Sequence, residues 1–224
     1  MEATYWHDAW NEDRTGFHQD RINKRLSEHW PTLGVASGST VFVPLCGKSL
    51  DMLWLREQGH PILGVELSEK AVAAFFDENA LAHERLVSSL GVEYRSIDDG
   101  PPIRLIAGDY FALSASDLQR VGGLYDRASL IAMNDELRLR YAEHLGRLVP
   151  GGTVGMLLVI DYDTARMQGP PFAVPATRVH ALLDPAFELE EIDRHDGPER
   201  LGNLANRGLQ TLTEHVFRLA RRTA

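Results

Sequence analysis

Short apolar runs alternate along the chain with stretches in which apolar residues recur every three to four positions. The runs are rich in Val, Ile and Leu, and this composition predicts buried β-strands over 40–45, 62–67, 103–107, 123–129 and 153–160. The stretches between them predict helices over 47–58, 68–79 and 135–148. Strands that alternate with helices are typical of a parallel sheet covered on both faces, so we predict an α/β fold.

The remaining segments are assigned from weaker patterns. Residues 5–10 and 20–29 are predicted as two short N-terminal helices, 82–90 and 179–183 as further helices, and 92–97 as an edge strand. The segments 187–193 and 209–219 are expected to close the sheet as an antiparallel pair, and 195–197 is predicted to form a turn. No repeat or long linker divides the chain. We therefore expect one domain over 1–224, with an N-terminal segment at 1–30 and an α/β core at 40–224.

Composition and charge exclude several classes of protein. The 224 residues are 44% hydrophobic and carry 23 basic against 32 acidic side chains, a formal charge of −9, which argues against a nucleic-acid partner. Cys46 is the only cysteine, so no intrachain disulfide forms and a reducing, cytoplasmic location is expected. The N-terminus lacks the pattern of a secretory signal, and the most apolar run, 153–160, is too short to cross a bilayer. A membrane partner is therefore not expected.

Polar and glycine residues stand where several predicted strands end. In an open parallel sheet, ligands bind beyond the carboxyl ends of the strands. The candidates are Leu45 to Gly47 after the first strand, Glu66 after the second, Asp109 and Tyr110 after the third, and Arg127 in the fourth. These residues are the first candidates for a ligand site.

The spacing of Glu66 indicates a nucleoside ligand. Glu66 follows Leu45 by 21 residues, close to the spacing of about 20 at which an acidic residue after the second strand binds ribose hydroxyls. No G-x-G-x-x-G motif follows the first strand, which disfavours a cofactor with a pyrophosphate group. A nucleoside cofactor without phosphates, such as S-adenosylmethionine, fits both observations. The spacing alone also allows a Glu66 that only caps a turn.

Other chemical motifs are incomplete. Gly47-Lys48-Ser49 resembles the end of a Walker A loop, but Phe42 stands where the first glycine of that motif is required. The nine histidines form no recognised metal motif, so no metal is expected. Cys46 is interpreted as a packing residue rather than a nucleophile. Trp6 and Trp10 lie four residues apart on one helix face, where they either pack on the core or cover a cofactor.

Several of these segments together resemble the thiopurine S-methyltransferase family, over most of the chain and in its bacterial form. They are Trp6 with Trp10, Thr-Gly-Phe-His-Gln at 15–19, Val-Phe-Val-Pro-Leu-Cys-Gly-Lys-Ser at 41–49, Gly-His at 59–60, Gly-Val-Glu-Leu-Ser at 64–68, Tyr-Asp-Arg-Ala at 125–128 and Gly-Pro-Pro-Phe-Ala-Val-Pro at 169–175. The Pro-Leu-Cys-Gly-Lys and Gly-Pro-Pro-Phe stretches are unusual, and their occurrence in this order is specific.

The resemblance implies a fold, a cofactor and a site. The fold is the class I methyltransferase (Rossmann-like) sheet, with seven strands, mostly parallel, and here an N-terminal helical lid. The cofactor is S-adenosyl-L-methionine. The residues implied in binding it are Trp10, Leu45, Glu66 at the ribose, Asp109 and Tyr110 at the adenine, Arg127, and also Trp6. The residues implied at the acceptor are Phe17, Phe172 and Arg127, of which Arg127 would orient and stabilise a thiolate.

We therefore interpret the chain as an S-methyltransferase for aromatic or heterocyclic thiols. Bacterial relatives are associated with selenium and tellurium compounds, so detoxification, including tellurite resistance, is a further expectation, as is a monomeric state. No general base is assigned. Two alternatives stay open at this point: a cofactor-binding module without catalysis, and a nicotinamide-dependent oxidoreductase.

Overall fold

A single mixed sheet of nine strands organises the protein in the computed structural model, which describes residues 3–12, 14–15, 18–127, 129–198 and 201–223. The strands are β1 (Thr40–Pro44), β2 (Ile62–Glu66), β3 (His83–Ser88), β4 (Gly91–Ser96), β5 (Ile103–Ala107), β6 (Val121–Arg127), β7 (Val154–Asp161), β8 (Phe187–Gly197) and β9 (Leu212–Arg221). Their spatial order is β3-β4-β5-β2-β1-β6-β7-β9-β8. The five central strands, β5, β2, β1, β6 and β7, run parallel to one another.

Within the described residues, seven α-helices connect or flank these strands. They are α1 (Ala3–Asn11), α2 (Lys24–His29), α3 (Asp51–Glu57), α4 (Glu69–Glu78), α5 (Ser129–Ala132), α6 (Asp135–Leu148) and α7 (Ala176–Leu183). The side chain of Ser68 accepts a hydrogen bond from the backbone of Ala71 and begins α4, as the sequence predicted. The helix over 135–148 is confirmed with the same bounds.

Alternating side chains of the strands divide the core into two layers. Val41 and Val43 of β1 face a layer that includes residues of α2, α3 and α4, whereas Phe42 faces a layer with residues of α6 and α7. Both layers are apolar and buried, which explains why the central strands read as nearly continuous hydrophobic runs. The predicted α/β fold with helices on both faces is confirmed.

The predicted helix over 82–90 is wrong. This segment forms β3, which pairs antiparallel with β4 through a register that joins His83 to Ser96. The ring of His83 lies 4.9 Å from that of Phe76 and 5.4 Å from that of Tyr94, between centroids. Strand pairing and ring packing therefore override the weak local pattern from which a helix was predicted.

Other predicted boundaries shift for local reasons. The strand predicted over 92–97 exists as β4, but it is not an edge strand because β3 covers it. The second and third helices begin only at Lys24 and Asp51, after loops that contact the site described below. Residues 195–197 continue β8 rather than forming a turn.

In the part of the chain that the structure describes, the sheet contains nine strands where seven were expected. The seven-strand arrangement is present as β5-β2-β1-β6-β7-β9-β8, in which β9 is antiparallel to β7. The hairpin of β3 and β4 adds the other two strands at the β5 edge. None of the helices among the described residues is long and apolar enough to cross a membrane.

Candidate active site

A cavity of about 1200 Å³ lies beyond the carboxyl ends of β1, β2, β5 and β6. The parallel strands bring their ends to one edge of the sheet, and the N-terminal segment contributes another wall. Most of the candidate residues line this cavity: Trp6, Trp10, Leu45, Glu66, Asp109, Tyr110 and Arg127. Phe17 lies outside the described residues.

Glu66 is a buried carboxylate held by two backbone amides. One oxygen, Oε2, accepts a hydrogen bond of 3.0 Å from the amide of Gly47, and Oε1 accepts one of 2.9 Å from the amide of Ser68. Burial raises the pKa of this carboxyl, and these hydrogen bonds partly oppose the rise. Each oxygen keeps capacity to accept from a ligand hydroxyl, because a carboxylate oxygen has two lone pairs.

The turn after β1 has an unusual backbone. Leu45 has φ of 48° and Gly47 has φ of 52°, both in the left-handed region. A non-glycine residue in this region is uncommon, and such residues cluster at functional sites. A Cβ atom on Gly47 would lie 3.2 Å from the Trp10 ring, so glycine lets the tryptophan approach closely.

Cys46 belongs to the same turn but not as a nucleophile. Its side chain is buried and reaches the space above Gly64, where an added Cβ would lie 2.8 Å from Sγ. Burial, followed by the nearby charge of Glu66, raises the pKa of the thiol well above its ordinary value. The neutral thiol is therefore favoured, and Cys46 packs the strands together.

Helix α1 covers this end of the cavity. Trp10 is only 4% exposed, and its carbonyl oxygen accepts a hydrogen bond of 2.9 Å from Nζ of Lys70 on α4. Trp6 is partly exposed and forms an edge-to-face contact with Tyr5, with centroids 5.2 Å apart. The two tryptophans thus present aromatic surface to the cavity from one helix.

Asp109 and Tyr110 occupy the loop after β5. Asp109 is exposed and uses Oδ1 to cap the short 3₁₀ helix Tyr110–Ala112 through the amide of Phe111, at 2.9 Å. The ring of Tyr110 is buried and stacks on Tyr141 with centroids 4.8 Å apart. Asp109 is therefore the more accessible polar group of this pair.

Arg127 enters the cavity from the end of β6, anchored by polar partners. Its Nε lies 2.9 Å from Oδ2 of Asp51, and its Nη2 donates to Oγ of Ser49 over 3.3 Å. The Nε–H is not aligned for a hydrogen bond, so its contact with Asp51 is an ion pair. The guanidinium thereby places a permanent positive charge at the cavity.

Phe172 does not line the cavity. Its ring packs beside Gly169, where an added Cβ would lie 2.5 Å from the ring, and its amide donates to the carbonyl oxygen of Ile131 at 2.6 Å. Pro170 and Pro171 of the same motif line the cavity instead. A role for Phe172 at the acceptor stays a prediction.

Three further polar residues reach this region without having been assigned a role. Asp51 is 1% exposed at the start of α3, His18 and Glu214 line the cavity, and Nε of Arg25 donates to Glu214 over 3.3 Å. Burial lowers the pKa of His18, and the charge of Lys48 lowers it further. An acidic residue within a predicted helix, such as Asp51, gives no specific signal of a role at a site. Glu214 lies on β9, which reaches the cavity only through the tertiary structure.

The donor set fits a nucleoside cofactor without phosphates. A buried carboxylate, an exposed aspartate and two tryptophans surround the left-handed turn, which suits hydroxyl groups, a base and a sulfonium cation. No group of three or more His, Cys, Asp or Glu that could hold a metal ion occurs within the described part of the chain.

Solved structures and curated sequences resemble the chain along nearly its whole length. A Burkholderia thailandensis 1,6-didemethyltoxoflavin-N1-methyltransferase, solved with S-adenosylhomocysteine, superposes with a TM-score of 0.65 at 15% identity, covering 99% of this chain and 87% of that one. A magnesium protoporphyrin IX methyltransferase from Synechocystis superposes with a TM-score of 0.65 at 14% identity, covering 98% of this chain and 99% of that one. The fold is that of class I S-adenosylmethionine-dependent methyltransferases.

The sequence comparisons narrow this class. The family model described as thiopurine S-methyltransferase matches residues 1–222. The thiopurine S-methyltransferase of Azotobacter vinelandii is 48% identical over 222 residues, and that of Pseudomonas entomophila is 42% identical over 221, each match covering 99% of this chain and 100% of the relative. The chain belongs to the thiopurine S-methyltransferase family. It is an enzyme of the methyltransferase class with S-adenosylmethionine as its cofactor, which replaces the nicotinamide-dependent alternative.

Proposed function

We propose that the enzyme methylates the sulfur of aromatic or heterocyclic thiols. The observation that carries this proposal is the position of Arg127, whose fixed positive charge lies in the same cavity as the ribose-binding candidate Glu66. A guanidinium suits an anionic sulfur because it stays protonated at neutral pH. The family names of the relatives support the same acceptor class.

The cofactor would be held mainly by the turns after β1, β2 and β5. Glu66 would accept hydrogen bonds from the ribose hydroxyls, and Asp109 with Tyr110 would flank the adenine. Trp10, Trp6 and the backbone at Leu45 would enclose the remainder, with Arg127 beside the methionine part. All these residues line one cavity, which supports their joint assignment.

S-Adenosylmethionine supplies an electrophilic methyl group on a sulfonium centre. Arg127 would stabilise the acceptor as its thiolate and orient it, because its charge does not depend on pH near neutrality. Heteroaryl thiols ionise readily, so the protein need not supply a strong base. The apolar walls would exclude water from the reacting sulfur and keep the nucleophile poorly solvated.

The N-terminal segment 1–30 would act as a lid over the core 40–224. The buried Trp10, its bond to Lys70 and its contact with Gly47 support this role. Phe17 would belong to the acceptor side of the lid. Closure of such segments excludes water and completes the site in many enzymes.

The wider role is also a proposal. We place the enzyme in the cytoplasm as a monomer, where methylation of thiols, and of selenium or tellurium compounds, would serve detoxification, including tellurite resistance. The reducing environment expected for a chain with one cysteine supports that location.

A methyl-transfer assay tests the proposed acceptor class. The purified enzyme is incubated with S-adenosylmethionine and either an aryl thiol or the phenol of the same ring, and S-adenosylhomocysteine is measured. We expect release with the thiol and at least tenfold less with the phenol. Cofactor binding by calorimetry without turnover of any thiol would overturn the proposed acceptor class.

A further inference from the structure

Asp51 is a buried carboxylate that joins three parts of the protein. Its Oδ1 accepts a hydrogen bond of 2.7 Å from the amide of Asn23, and its Oδ2 accepts one of 2.8 Å from the hydroxyl of Tyr125. The same Oδ2 lies 2.9 Å from Nε of Arg127. Asp51 thus contacts the start of α2, the middle of β6 and the arginine at the end of β6.

We propose that Asp51 is a positioning residue that holds the guanidinium of Arg127 in the orientation needed at the acceptor. The inference rests on the proposed function of Arg127. Beyond that function, it assigns to Asp51 the role of holding the side chain of Arg127 in place. Asp51 itself lies beneath the cavity and is not among the residues that line it.

The surroundings of Asp51 leave it little freedom. The side chain is 1% exposed, and the Tyr125 ring that donates to it packs edge-to-face on Trp30, with centroids 6.2 Å apart. Burial, followed by the charge of Asp51, raises the pKa of Tyr125 well above its ordinary value, so the phenol remains a donor. A carboxylate with fixed donors on both oxygens provides a rigid support for a flexible arginine.

The partners of Arg127 also explain why one buried carboxylate matters. Ser49 accepts from Nη2 at 3.3 Å, a longer contact with a neutral group. Within the described part of the chain, Asp51 is the carboxylate with an ion pair to Arg127. Losing its charge would leave the guanidinium with a weaker anchor and more side-chain conformations.

A double-mutant cycle separates positioning from general structural support. Asp51→Asn should reduce kcat for an aryl thiol on the order of tenfold while the Kd of S-adenosylmethionine changes less than about threefold. In the Arg127→Ala background, Asp51→Asn should cost less than about twofold more, because the group it positions is already missing. Additive losses in the two backgrounds would overturn the proposal.

Asp126→Asn provides the matched control. Asp126, like Asp51, is a buried carboxylate, and it lies on β6. Its Oδ2 accepts a hydrogen bond of 2.6 Å from the hydroxyl of Tyr141 on the other side of the sheet. Any loss of kcat that Asp126→Asn causes should be the same with and without Arg127.

If Asp51→Asn fails to fold, the same cycle is run with Asp51→Glu and Asp51→Ser. Asp51→Glu keeps the charge and should be less impaired than Asp51→Ser. Equal, additive losses for Glu and Ser would overturn the proposal.

A spectroscopic readout distinguishes failure of this inference from failure of the proposed function. In an arginine-selective ¹⁵N spectrum, the Nε–H signal of Arg127 is assigned by its loss in Arg127→Lys. We expect its exchange with solvent to accelerate at least tenfold in Asp51→Asn but not in Asp126→Asn. Unchanged exchange overturns the role of Asp51, whereas absent thiol methylation with accelerated exchange overturns only the proposed function.

Discussion

Oε2 of Glu66 and the backbone amide of Gly47 lie 3.0 Å apart, although they belong to different strand–helix units. The hydrogen bond ties the turn after β1 to the end of β2, where the register places Pro44 beside Val65. The cavity therefore has one rigid corner, made of a carboxylate and a left-handed turn, before any ligand arrives.

Replacing Glu66 by Ala should weaken S-adenosylmethionine binding by about 1.5–3 kcal/mol, the scale of hydrogen bonds to a charged group. The fold should survive, because the carboxylate is not part of either apolar layer. Isothermal calorimetry measures the affinity and thermal unfolding checks the fold. Unchanged affinity in a folded variant would remove Glu66 from the cofactor site.

Deleting residues 1–19 should leave a folded sheet that binds the cofactor poorly and turns over hardly at all. The reason is that Trp10 and its neighbours form one wall of the cavity while the sheet begins only at Thr40. Circular dichroism, calorimetry and the methyl-transfer assay report on these three properties. Full turnover by the truncated enzyme would mean that Trp10 only packs on the core.

Substitutions of Arg127 should lower kcat/KM for a thiol in the order wild type, Lys, Ala. Lysine keeps the charge but loses the planar fork, and alanine loses both, which should cost on the order of 10²-fold or more. The loss should grow for less acidic thiols, which need more help to ionise. The three enzymes are compared on aryl thiols of graded pKa, and a uniform loss would assign Arg127 to cofactor binding alone.

Replacing Glu93 by Gln should destabilise the protein at neutral pH but not in strong acid. Hydrogen bonds from Arg104, with help from Arg95, lower the pKa of Glu93 from 4.5 to about 2. A lowered carboxyl pKa contributes stability above the unfolded value, and the contribution is lost as pH falls from about 4.5 towards 2. The contribution at pH 7 is on the order of 3 kcal/mol at most.

Denaturant unfolding of wild type and Glu93→Gln at several pH values measures this difference. The two midpoints should converge only at about pH 2 and below, where Glu93 becomes protonated in the folded protein as well as in the unfolded one. Glu84→Gln is a suitable control because Glu84 is exposed on the neighbouring strand β3. A pH-independent gap between wild type and Glu93→Gln would show that charge is not the cause.

The central strands could be predicted because strands buried on both faces consist almost entirely of apolar residues. The position of Glu66 followed from the strand order, since parallel strands place their ends at one edge. Asp51 could not be identified in this way. Its partners lie 28, 74 and 76 positions away in the chain at Asn23, Tyr125 and Arg127, and only the folded sheet brings them together.

Residues 83–88 are a segment whose secondary structure the local sequence did not predict. A helix was predicted here, but β4 offered an unpaired edge, and backbone pairing with β4 decided the outcome. Gly91 makes this hairpin possible: its φ is 127°, and an added Cβ would lie 2.2 Å from the carbonyl oxygen of Ala107. This need for glycine arises from contact with the end of β5, so the sequence around 83–91 does not reveal it.

The hairpin of β3 and β4 also bears on how the protein behaves at high concentration. An outermost strand exposes hydrogen-bonding groups that can recruit another chain and start aggregation. β3 is such a strand, and it carries Val87, whose exposed fraction is 80%. Two charged residues, Glu84 and Arg85, are also exposed on this strand. Charged side chains on an exposed edge strand oppose its pairing with strands of other molecules, and so reduce aggregation.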